Sequence, residues 1–435
     1  MLYFARGSAT ARLSVAGLRQ GLFQALDRLG PRRRVIVVPP DFTRCHSQAG
    51  VLTKLIHDYY GPHLTDILPA LGTHTPMTPR QIRKMYAGVP PELFRVHNWR
   101  TGVATVGEVP AKFVKTVSEG AVDFAWPAQL AKLIWTGRHD LILSVGQVVP
   151  HEVIGMANYN KNLFVGTGGS ESINKSHFIG AAYGMEHMMG RADTPVRRIL
   201  NYAAAHFTHR LPIVYVHTVV GSDASGKLHV RGLFISDDVS GFDRAAALSL
   251  KVNFDLFNEP LKKVVVYLDP GEFKSTWLGN KSIYRTRMAM ADGGELLVLA
   301  PGLKEFGEDR EIDRLIRRYG YRGTPATLAA VNAHAGLRHN LSAAAHLIHG
   351  STEGRFRVTY CPGHLTRQEI ENVNFGYADL RQMMQRYQPD RLKDGWNTLP
   401  DGEKIFFISN PALGLWACRR RITPERSQLK CPRAA

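Results

Sequence analysis

The chain has 435 residues, of which 44% are hydrophobic and 21% charged, and this length is enough for two or three domains of about 150 residues with buried cores. It has no run approaching the roughly 20 apolar residues of a membrane helix and no signal-peptide pattern at the N-terminus, so a soluble cytoplasmic protein is expected. Its net charge of +18 and its four scattered cysteines, Cys45, Cys361, Cys418 and Cys431, come without a nucleic-acid-binding motif or C-x-x-C spacing, so neither a nucleic-acid partner nor a zinc knuckle is predicted.

Short apolar runs alternate with amphipathic stretches in the first half of the chain, which is typical of parallel strands joined by crossover helices. The predicted elements are a strand over 34–39, a helix over 48–60, a strand over 64–71, a helix over 78–87 and a strand over 140–149. A longer amphipathic stretch over 171–189 carries His177 and His187. The predicted fold class is therefore α/β, with mainly parallel sheets.

A second alternation of strands and helices begins near Lys262 and continues to about residue 400. We therefore predict a larger domain over 1–258, a smaller α/β domain over 259–402, and an active site in the cleft between them. The remaining segment, 403–435, contains a strand at 404–409 that either joins the second sheet or returns to the first domain. The basic tail after Trp416 is expected to be poorly ordered.

Polar clusters follow the predicted strands, where open α/β sheets bind their ligands. The first cluster is Asp41-Phe42-Thr43-Arg44, directly after the strand over 34–39. Asp41 and Thr43 are residue types that also cap a following helix, so a structural role is an equal alternative for them. Arg44 favours a ligand site, because a guanidinium can bind a carboxylate or phosphate in bidentate fashion.

Two histidines occupy corresponding positions after other strands. His74 follows the strand over 64–71, and His151 follows the strand over 140–149. A single histidine in a chain with 18 of them is usually structural. Two histidines at corresponding strand ends favour paired acid/base chemistry, because imidazole titrates near neutral pH.

A glycine-rich turn over 166–169 precedes the amphipathic stretch. Backbone N–H groups at such a helix start can bind a phosphate. The spacing is neither G-x-G-x-x-G nor that of a P-loop, so binding of a nicotinamide dinucleotide or of ATP finds no support.

Taken in order, these clusters resemble the lactate racemase family of nickel-pincer nucleotide-dependent racemases and epimerases. The family pattern is D-x-T-R, T-H-x-P-M-T, P-H-x-x-x-G, a Gly-Gly turn and a nickel-binding histidine. It matches 41–44, 73–78, 150–155, 168–169 and His187, and a Lys-Ser pair at 281–282 extends it loosely into the second domain. The resemblance implies an isomerase that acts on a 2-hydroxyacid.

The resemblance also implies a cofactor, pyridinium-3,5-bisthiocarboxylic acid mononucleotide, whose two sulfur-bearing arms and one carbon bind a nickel ion. His187 would be the single protein ligand of this ion, since sulfur donors with an imidazole suit Ni(II). Cofactor-synthesis enzymes would be required partners. The residues that would contact the cofactor, with its phosphate near the glycine turn, are Asp41, Thr43, Gly168, Gly169, Ser170 and Glu171.

Two departures from the family pattern change what is expected. Members that bind the cofactor covalently use a lysine two residues after the Gly-Gly pair, and that position is Glu171 here. We therefore expect a non-covalently bound cofactor, with Lys175 as a less favoured substitute for the missing lysine. Relatives often place a glutamine three residues before Lys281, where this chain has Leu278, so Arg44 and Lys281 alone would bind the substrate carboxylate.

The mechanism implied by the resemblance is reversible hydride transfer from C2 to the cofactor. His74 and His151 would serve as the acid and base on opposite sides of the substrate, and each would contribute roughly 10²–10⁴-fold to the rate. Two alternatives stay open. One is a basic-cleft binding module for a phosphate ligand or nucleic acid, and the other is an enzyme of the same fold with a different reaction, such as dehydration. The substrate side chain and the oligomeric state are not predicted.

Overall fold

A computed structural model describes residues 1–223, 227–412 and 414–422. The chain divides into two compact units, the first over residues 1–253 and the second from Phe254 onwards. Both are α/β units with mainly parallel sheets. None of the helices in the described ranges is long and apolar enough to cross a membrane.

The first unit alternates strands and helices, with short 3-10 turns between some of them. Its strands are β1 (Leu2–Gly7), β2 (Val35–Val38), β3 (Leu64–Ile67), β4 (Val103–Val109), β5 (Trp126–Ala131), β6 (Leu141–Gln147), β7 (Pro150–His151), β8 (Gly155–Met156), β9 (Ile213–Ser222) and β10 (Leu228–Ser236). Its helices are α1 (Val15–Leu29), α2 (Ala49–Tyr60), α3 (Pro79–Met85), α4 (Ala111–Val117), α5 (Lys132–Thr136), α6 (Asn160–Phe164), α7 (Ser170–Tyr183), α8 (Met185–Met188), α9 (Pro195–Phe207) and α10 (Val239–Val252).

The main sheet of this unit has the strand order β1-β10-β9-β6-β2-β3. The strands β9, β6, β2 and β3 are parallel, and β10 and β1 add an antiparallel edge. The chain passes from β2 to β3 on one side and then returns to β6 on the other side of β2. The strand order therefore reverses between β2 and β6, and open α/β sheets bind ligands beyond the carboxyl ends of their strands at such a point.

Strand β2 lies at the centre of the core. All four of its residues are buried. Val35 and Val37 pack into one hydrophobic cluster, while Ile36 and Val38 pack into a different one. A continuous apolar run is what a parallel strand covered on both faces requires, and it explains why this segment could be recognised in the sequence.

The second unit has its own sheet, in the order β15-β14-β13-β12-β17-β16, in which only β16 is antiparallel to its neighbour. The strands of the unit are β11 (Asp255–Phe257), β12 (Leu261–Tyr267), β13 (Met290–Ala300), β14 (Arg357–Pro362), β15 (Gly376–Tyr377), β16 (Gly395–Thr398), β17 (Lys404–Ile408) and β18 (Trp416–Cys418). Its helices are α11 (Thr276–Gly279), α12 (Lys281–Thr286), α13 (Arg310–Tyr319), α14 (Thr324–Ala333), α15 (Ala335–Arg338), α16 (Leu341–His349), α17 (Arg367–Asn372), α18 (Leu380–Tyr387) and α19 (Arg419–Ile422).

The α/β class with mainly parallel sheets is confirmed, two local features differ from the sequence interpretation, and one alternative that the sequence left open is settled. The helix expected over 171–189 is broken at Gly184, whose φ of 103° ends α7 before α8 begins. Strand β17 pairs in parallel with β12, so it belongs to the second sheet. Residues 417–422, expected to be poorly ordered, lie in β18 and α19, while 423–435 lie outside the described residues.

Three of the four cysteines lie in the described residues. Cys45, Cys361 and Cys418 form no disulfide. Cys45 is exposed, whereas Cys361 and Cys418 are buried. Cys431 lies outside the described residues.

Candidate functional site

The candidate site of the first unit lies beyond the carboxyl ends of three adjacent parallel strands, β6, β2 and β3. Asp41 follows β2, His74 follows β3, and His151 follows β6. Because β2 pairs with both β3 and β6, the three chain segments leave the same edge of the sheet side by side. This is the point at which the strand order reverses.

Asp41 and His74 form a hydrogen-bonded pair. The distance from Oδ2 of Asp41 to Nδ1 of His74 is 2.6 Å, and the exposed fraction is 7% for the Asp41 side chain and 57% for that of His74. Oδ1 of Asp41 accepts hydrogen bonds from the backbone N–H and the hydroxyl of Thr43, at 3.1 and 2.5 Å. Burial raises the pKa of Asp41, but the hydrogen bonds from His74 and Thr43 outweigh it, and the pKa lies below its usual value. Asp41 is therefore an ionised group that orients the imidazole.

His151 is buried, with an exposed fraction of 7%. Its Nδ1 accepts a hydrogen bond from the backbone N–H of Val153 at 3.1 Å. Burial lowers the pKa of His151 well below its usual value, and the charges of Lys161, Arg44 and His177 lower it further, against the opposing effect of Glu152. His151 is therefore neutral over the physiological pH range.

Lys161, on the short helix α6, belongs to the same charge cluster and was not predicted from the sequence. Burial lowers the pKa of Lys161 to about 8, the charge of Arg44 adds to this effect, and Glu152 and Asp41 oppose it. Such mutual effects require side chains that lie near one another. The site thus combines the predicted Arg44 with an unpredicted amine that loses its proton more readily than an ordinary lysine.

Two buried side chains hold helix α6 in place. Asn162 donates hydrogen bonds to the carbonyl of Val38 at 2.9 Å and to the hydroxyl of Ser144 at 3.1 Å, so it joins α6 to the end of β2 and the middle of β6. Arg197, with an exposed fraction of 2%, donates to the carbonyls of Met156 and Asn158, at 2.7 and 3.3 Å. Arg197 also donates to Oδ1 of Asn160.

The turn that enters α6 is strained. Asn158 and Tyr159 are consecutive non-glycine residues with positive φ, at 67° and 59°. Such conformations cost about 1–3 kcal/mol each and persist only where the surrounding structure holds them. Arg197 lies with its guanidinium carbon 5.6 Å from the centroid of the Tyr159 ring, so the same buried cation contacts both the backbone and the side chains of this turn.

His177, on helix α7, is the third histidine of the cluster. Its Nδ1–H donates to the carbonyl of Ile173 at 2.7 Å, which leaves Nε2 as the unprotonated nitrogen of the neutral ring. Burial lowers the pKa of His177, and Lys161, Glu152 and His74 all affect it electrostatically. An imidazole that donates one N–H to a backbone carbonyl has the arrangement typical of metal-ligating histidines.

His187, the predicted nickel ligand, lies on the four-residue helix α8 beyond the break at Gly184. It is exposed, and its ring centroid is 6.0 Å from that of Tyr183. The groups that perturb His151, Lys161 and His177 do not include it. The role of His187 stays a prediction, and the structure offers His177 as a second candidate.

The glycine-rich turn allows close packing. A Cβ atom on Gly168 would lie 2.0 Å from the carbonyl oxygen of Phe164, and one on Gly169 would lie 2.3 Å from Oε1 of Gln129. The carbonyl of Gly168 accepts a hydrogen bond from the buried His97. The carbonyl of Gly166 accepts one from the backbone N–H of Gly72 at 2.8 Å, which joins this turn to the loop that carries His74. The binding of a phosphate by the glycine-rich turn stays a prediction.

The other residues predicted near the cofactor begin helix α7. Ser170 and Glu171 are its first two residues. Glu171 is exposed and forms an ion pair of 2.7 Å with Lys175, which also donates to the carbonyl of Ala125 at 2.8 Å. The ammonium group of Lys175, the substitute considered for a covalent link, is therefore already bonded to two oxygens.

Lys281 belongs to the second unit, where it begins helix α12. Its Nζ lies 5.7 Å from the centroid of the Phe273 ring. The preceding residue, Asn280, is completely buried and accepts a hydrogen bond from the hydroxyl of Tyr360 at 2.8 Å. The substrate-binding role of Lys281 stays a prediction.

Two signals in the sequence could have identified the residues that were missed. Gly184 is a helix-ending residue type, and it separates His177 from His187. Lys161 is the first lysine after the His151 motif. The positions of Asn162 and Arg197 have no such signal, because their roles arise only when distant strands and helices are packed together.

Comparisons with known proteins agree with this picture. A sequence profile described as the lactate racemase N-terminal domain matches residues 24–188. This range contains Asp41, Arg44, His74, His151 and all the other candidate site residues of the first unit. No curated protein sequence matches the chain significantly.

Two solved structures share the fold over most of their length. One is a crystal structure of a Thermotoga maritima protein, with a TM-score of 0.77, 23% identity, and coverage of 93% of this chain and 98% of that chain. The other is the lactate racemase apoprotein from Thermoanaerobacterium thermosaccharolyticum, with a TM-score of 0.70, 15% identity, and coverage of 95% and 94%. At these identities, the likeness concerns the fold.

Proposed function

We propose that the chain is a racemase or epimerase that inverts C2 of a 2-hydroxyacid, since its residues 24–188 match the lactate racemase N-terminal domain. The observation that carries the proposal is the Asp41–His74 pair, which lies at adjacent strand ends with His151 and the cations of Arg44 and Lys161. The C2–H bond beside a carboxylate is too weakly acidic to lose a proton readily, so the hydrogen would leave with its electron pair. This reaction needs a base for the hydroxyl proton and positive charge for the carboxylate. The first unit supplies both.

The residues of the site fit the anionic nucleotide that the family implies. The lowered pKa of Lys161 results from burial and from the nearby charge of Arg44, and an anion bound there would offset this repulsion. His177 has one ring nitrogen left to bind a metal, because the other donates to Ile173. Within the described ranges no three His, Cys, Asp or Glu residues are grouped as metal ligands, and a nucleotide with its own sulfur donors needs only one.

We therefore propose that His177 is the protein ligand of nickel and that Lys161 contacts the nucleotide. Soft sulfur donors and one imidazole suit Ni(II). When bound, the nucleotide supplies a reversible acceptor for the C2 hydrogen and its electron pair. His187 is the competing candidate for the metal, and the two histidines can be tested as a matched pair because α7 and α8 carry one each.

The protein side chains would manage the proton and the carboxylate. Arg44 would bind the substrate carboxylate in bidentate fashion. Nε2 of His74 would accept the hydroxyl proton, and the ionised Asp41 would stabilise the imidazolium that forms. His151 would act on the opposite side of the substrate. Each histidine would contribute roughly 10²–10⁴-fold to the rate.

The positive charge of the cluster also supports the alternative of a binding module that holds a phosphate ligand without redox chemistry. The deciding experiment uses protein produced together with cofactor-synthesis enzymes. Its nickel content and visible spectrum are measured, and a panel of single-enantiomer 2-hydroxyacids and aldonic acids is then incubated with it. Stoichiometric nickel with loss of optical purity, or formation of an epimer, supports the proposal.

Two other outcomes contradict the proposal in different ways. Colourless, nickel-free protein that binds inorganic phosphate would favour the binding module. Nickel-loaded protein that inverts none of the acids but converts one of them to another product would indicate a different reaction on the same fold.

A further inference from the structure

The two catalytic candidates, His74 and His151, differ in the group that contacts Nδ1. Nδ1 of His74 lies 2.6 Å from a carboxylate oxygen of Asp41. Nδ1 of His151 lies 3.1 Å from the backbone nitrogen of Val153. An ionised carboxylate can only accept a hydrogen bond and a backbone N–H can only donate one, so the first contact requires a proton on Nδ1 and the second requires a lone pair there.

A neutral imidazole carries one proton, and the hydrogen bond made by one nitrogen determines the state of the other. Nε2 of His74 is therefore bare and can accept a proton. Nε2 of His151 bears the proton and can only donate. The two rings thus differ at Nε2, which can accept a proton in His74 and can donate a hydrogen bond in His151.

The surroundings keep His151 in this state. A second proton on its ring would lie on Nδ1 and would point at the N–H of Val153. The nearby cations Lys161 and Arg44 disfavour its protonation, a charge on His177 would add to this effect, and Glu152 opposes it. Burial of the ring has the same effect as the cations.

We propose that His74 and His151 rest in opposite tautomers, so that the resting site accepts a substrate proton only at His74 and donates a hydrogen bond at His151. The tautomers themselves follow from the contacts of Asp41 and Val153, and the catalytic consequence depends on the function proposed above. The backbone N–H of Val153 is thus a positioning group. Asp41 has the same role for His74.

The consequence concerns the order of events. On the His74 side, the hydroxyl O–H bond would break and its proton would bind Nε2 of His74, while the bound nucleotide would supply the acceptor for the C2 hydrogen and its electron pair. On the other side, His151 cannot take a hydroxyl proton until it gives up its contact with Val153 and its proton moves from Nε2 to Nδ1. One enantiomer can therefore react at once, whereas the other requires a preceding rearrangement of His151.

The tautomers can be measured directly by nitrogen NMR on the cofactor-free protein labelled with ¹⁵N in its histidines. In a neutral imidazole the unprotonated nitrogen resonates far downfield of the protonated one. We expect an unprotonated Nε2 for His74 and an unprotonated Nδ1 for His151. Assignment uses the loss of signals in His74→Gln and His151→Asn, since the amide oxygen of asparagine can replace Nδ1 as the acceptor from Val153.

Asp41→Asn tests the cause of the His74 tautomer. An amide can donate as well as accept, so this variant is expected to give mixed tautomers at His74 and unchanged signals for His151. Asp27→Asn, which removes a carboxylate bonded to Tyr59 rather than to a histidine, is the matched control and should change neither. Should either assignment variant not fold, the two rings are assigned in the wild-type protein by through-bond correlation of each ring to its own backbone amide.

The same tautomer on both rings, or a protonated Nδ1 on His151, would overturn the proposal. With nickel-loaded protein, a single turnover should begin without a lag from one enantiomer and with a lag from the other, and equal behaviour would refute the kinetic consequence. Loss of all inversion activity with the expected NMR signals would contradict the proposed function and leave the tautomer assignment standing.

Discussion

Asp41 binds Nδ1 of His74 across 2.6 Å although 33 residues separate them in the chain. The contact exists because β2 and β3 are adjacent parallel strands, so the segments that follow them leave the sheet together. The buried carboxylate fixes the orientation of the half-exposed imidazole, and the imidazole can act as a base. Much of the expected chemistry of the first unit depends on this pair.

Replacing Asp41 by asparagine should impair catalysis more than substrate binding. The amide keeps the shape of the side chain but neither fixes the tautomer of His74 nor stabilises its imidazolium, so kcat is expected to fall roughly 10²-fold or more with little change in KM. Steady-state kinetics of the nickel-loaded enzyme measure this. A variant with near wild-type kcat would remove Asp41 from the catalytic account.

Asp41 should also contribute to stability in a pH-dependent way. Its pKa in the folded protein lies below the usual value, so its stabilising effect is present above the pKa of the unfolded chain and is lost as pH falls through the folded value. The stability difference between the wild type and Asp41→Asn in urea unfolding should therefore be larger at pH 7 than at low pH. A difference that grows with acid would contradict the sign.

Nickel content should distinguish the two candidate metal ligands. His177→Ala is expected to leave the protein folded and nearly free of nickel, because this imidazole has its Nδ1 occupied by Ile173 and one nitrogen available. His187→Ala, at an exposed position on α8, serves as the matched control and should retain nickel. The reverse result would establish the ligand predicted from the sequence.

Lys161 should be an unusually reactive amine. With a pKa lowered to about 8, the amine of the cofactor-free protein should react with an amine-modifying reagent along a pH curve whose midpoint is near that value. Peptide mapping of the modified protein follows this reaction, and Lys161→Met should abolish it. If the rate of modification rises only near the pH at which ordinary lysines lose their proton, the lowered pKa of Lys161 is contradicted.

Intact-mass measurement of acid-denatured, nickel-loaded protein tests how the cofactor is held. The sequence predicts complete release, because Glu171 occupies the position of the linking lysine. If the cofactor is instead bound covalently and adds its mass to the chain, we expect the modified residue to be Lys161, which lies in the charge cluster. The added mass should then persist in Lys175→Met, because Lys175 is bonded to Glu171 and Ala125. An unmodified mass would support the non-covalent binding predicted from the sequence.

Substrate deuterated at C2 should test the paired histidines and the fate of the C2 hydrogen together. If that hydrogen moves with its electron pair, the inverted product retains deuterium, whereas removal as a proton exchanges it with solvent. His74→Ala and His151→Ala should each lose roughly 10²-fold or more in kcat and should still bind nickel. Solvent hydrogen at C2 after every turnover would exclude the proposed chemistry.

The sequence predicted the parts of the molecule whose signals are local. The apolar run of β2 and the helix predicted from residue 78 onwards are examples, since burial on two faces and the capping box observed at Thr78 depend on neighbouring residues. The antiparallel edge formed by β1 and β10 was not predicted. It depends on pairing between residues 2–7 and 232–236, a contact that no local pattern reveals.

The residues of the candidate site also divide into those with a local sequence signal and those without one. Asp41, Arg44, His74 and His151 could be found because each lies in the segment that follows a strand of the main sheet. Lys161 and His177 lie on helices that come to the strand ends only after the turn at Asn158 and Tyr159 and the close packing of the glycine run. The strain of that turn is stabilised by Arg197, 38 residues further along than Tyr159, and so it has no local signature.

The hydrogen bond from Gly72 to Gly166 gives the first unit a dynamic property. It joins the loop that carries His74 to the turn that follows α6, so neither segment can open without breaking the contact with the other. The amide proton of Gly72 should consequently exchange with solvent when either segment opens, and ligands that bind at either side should slow its exchange. A single amide thus reports the closed state of the whole strand-end region.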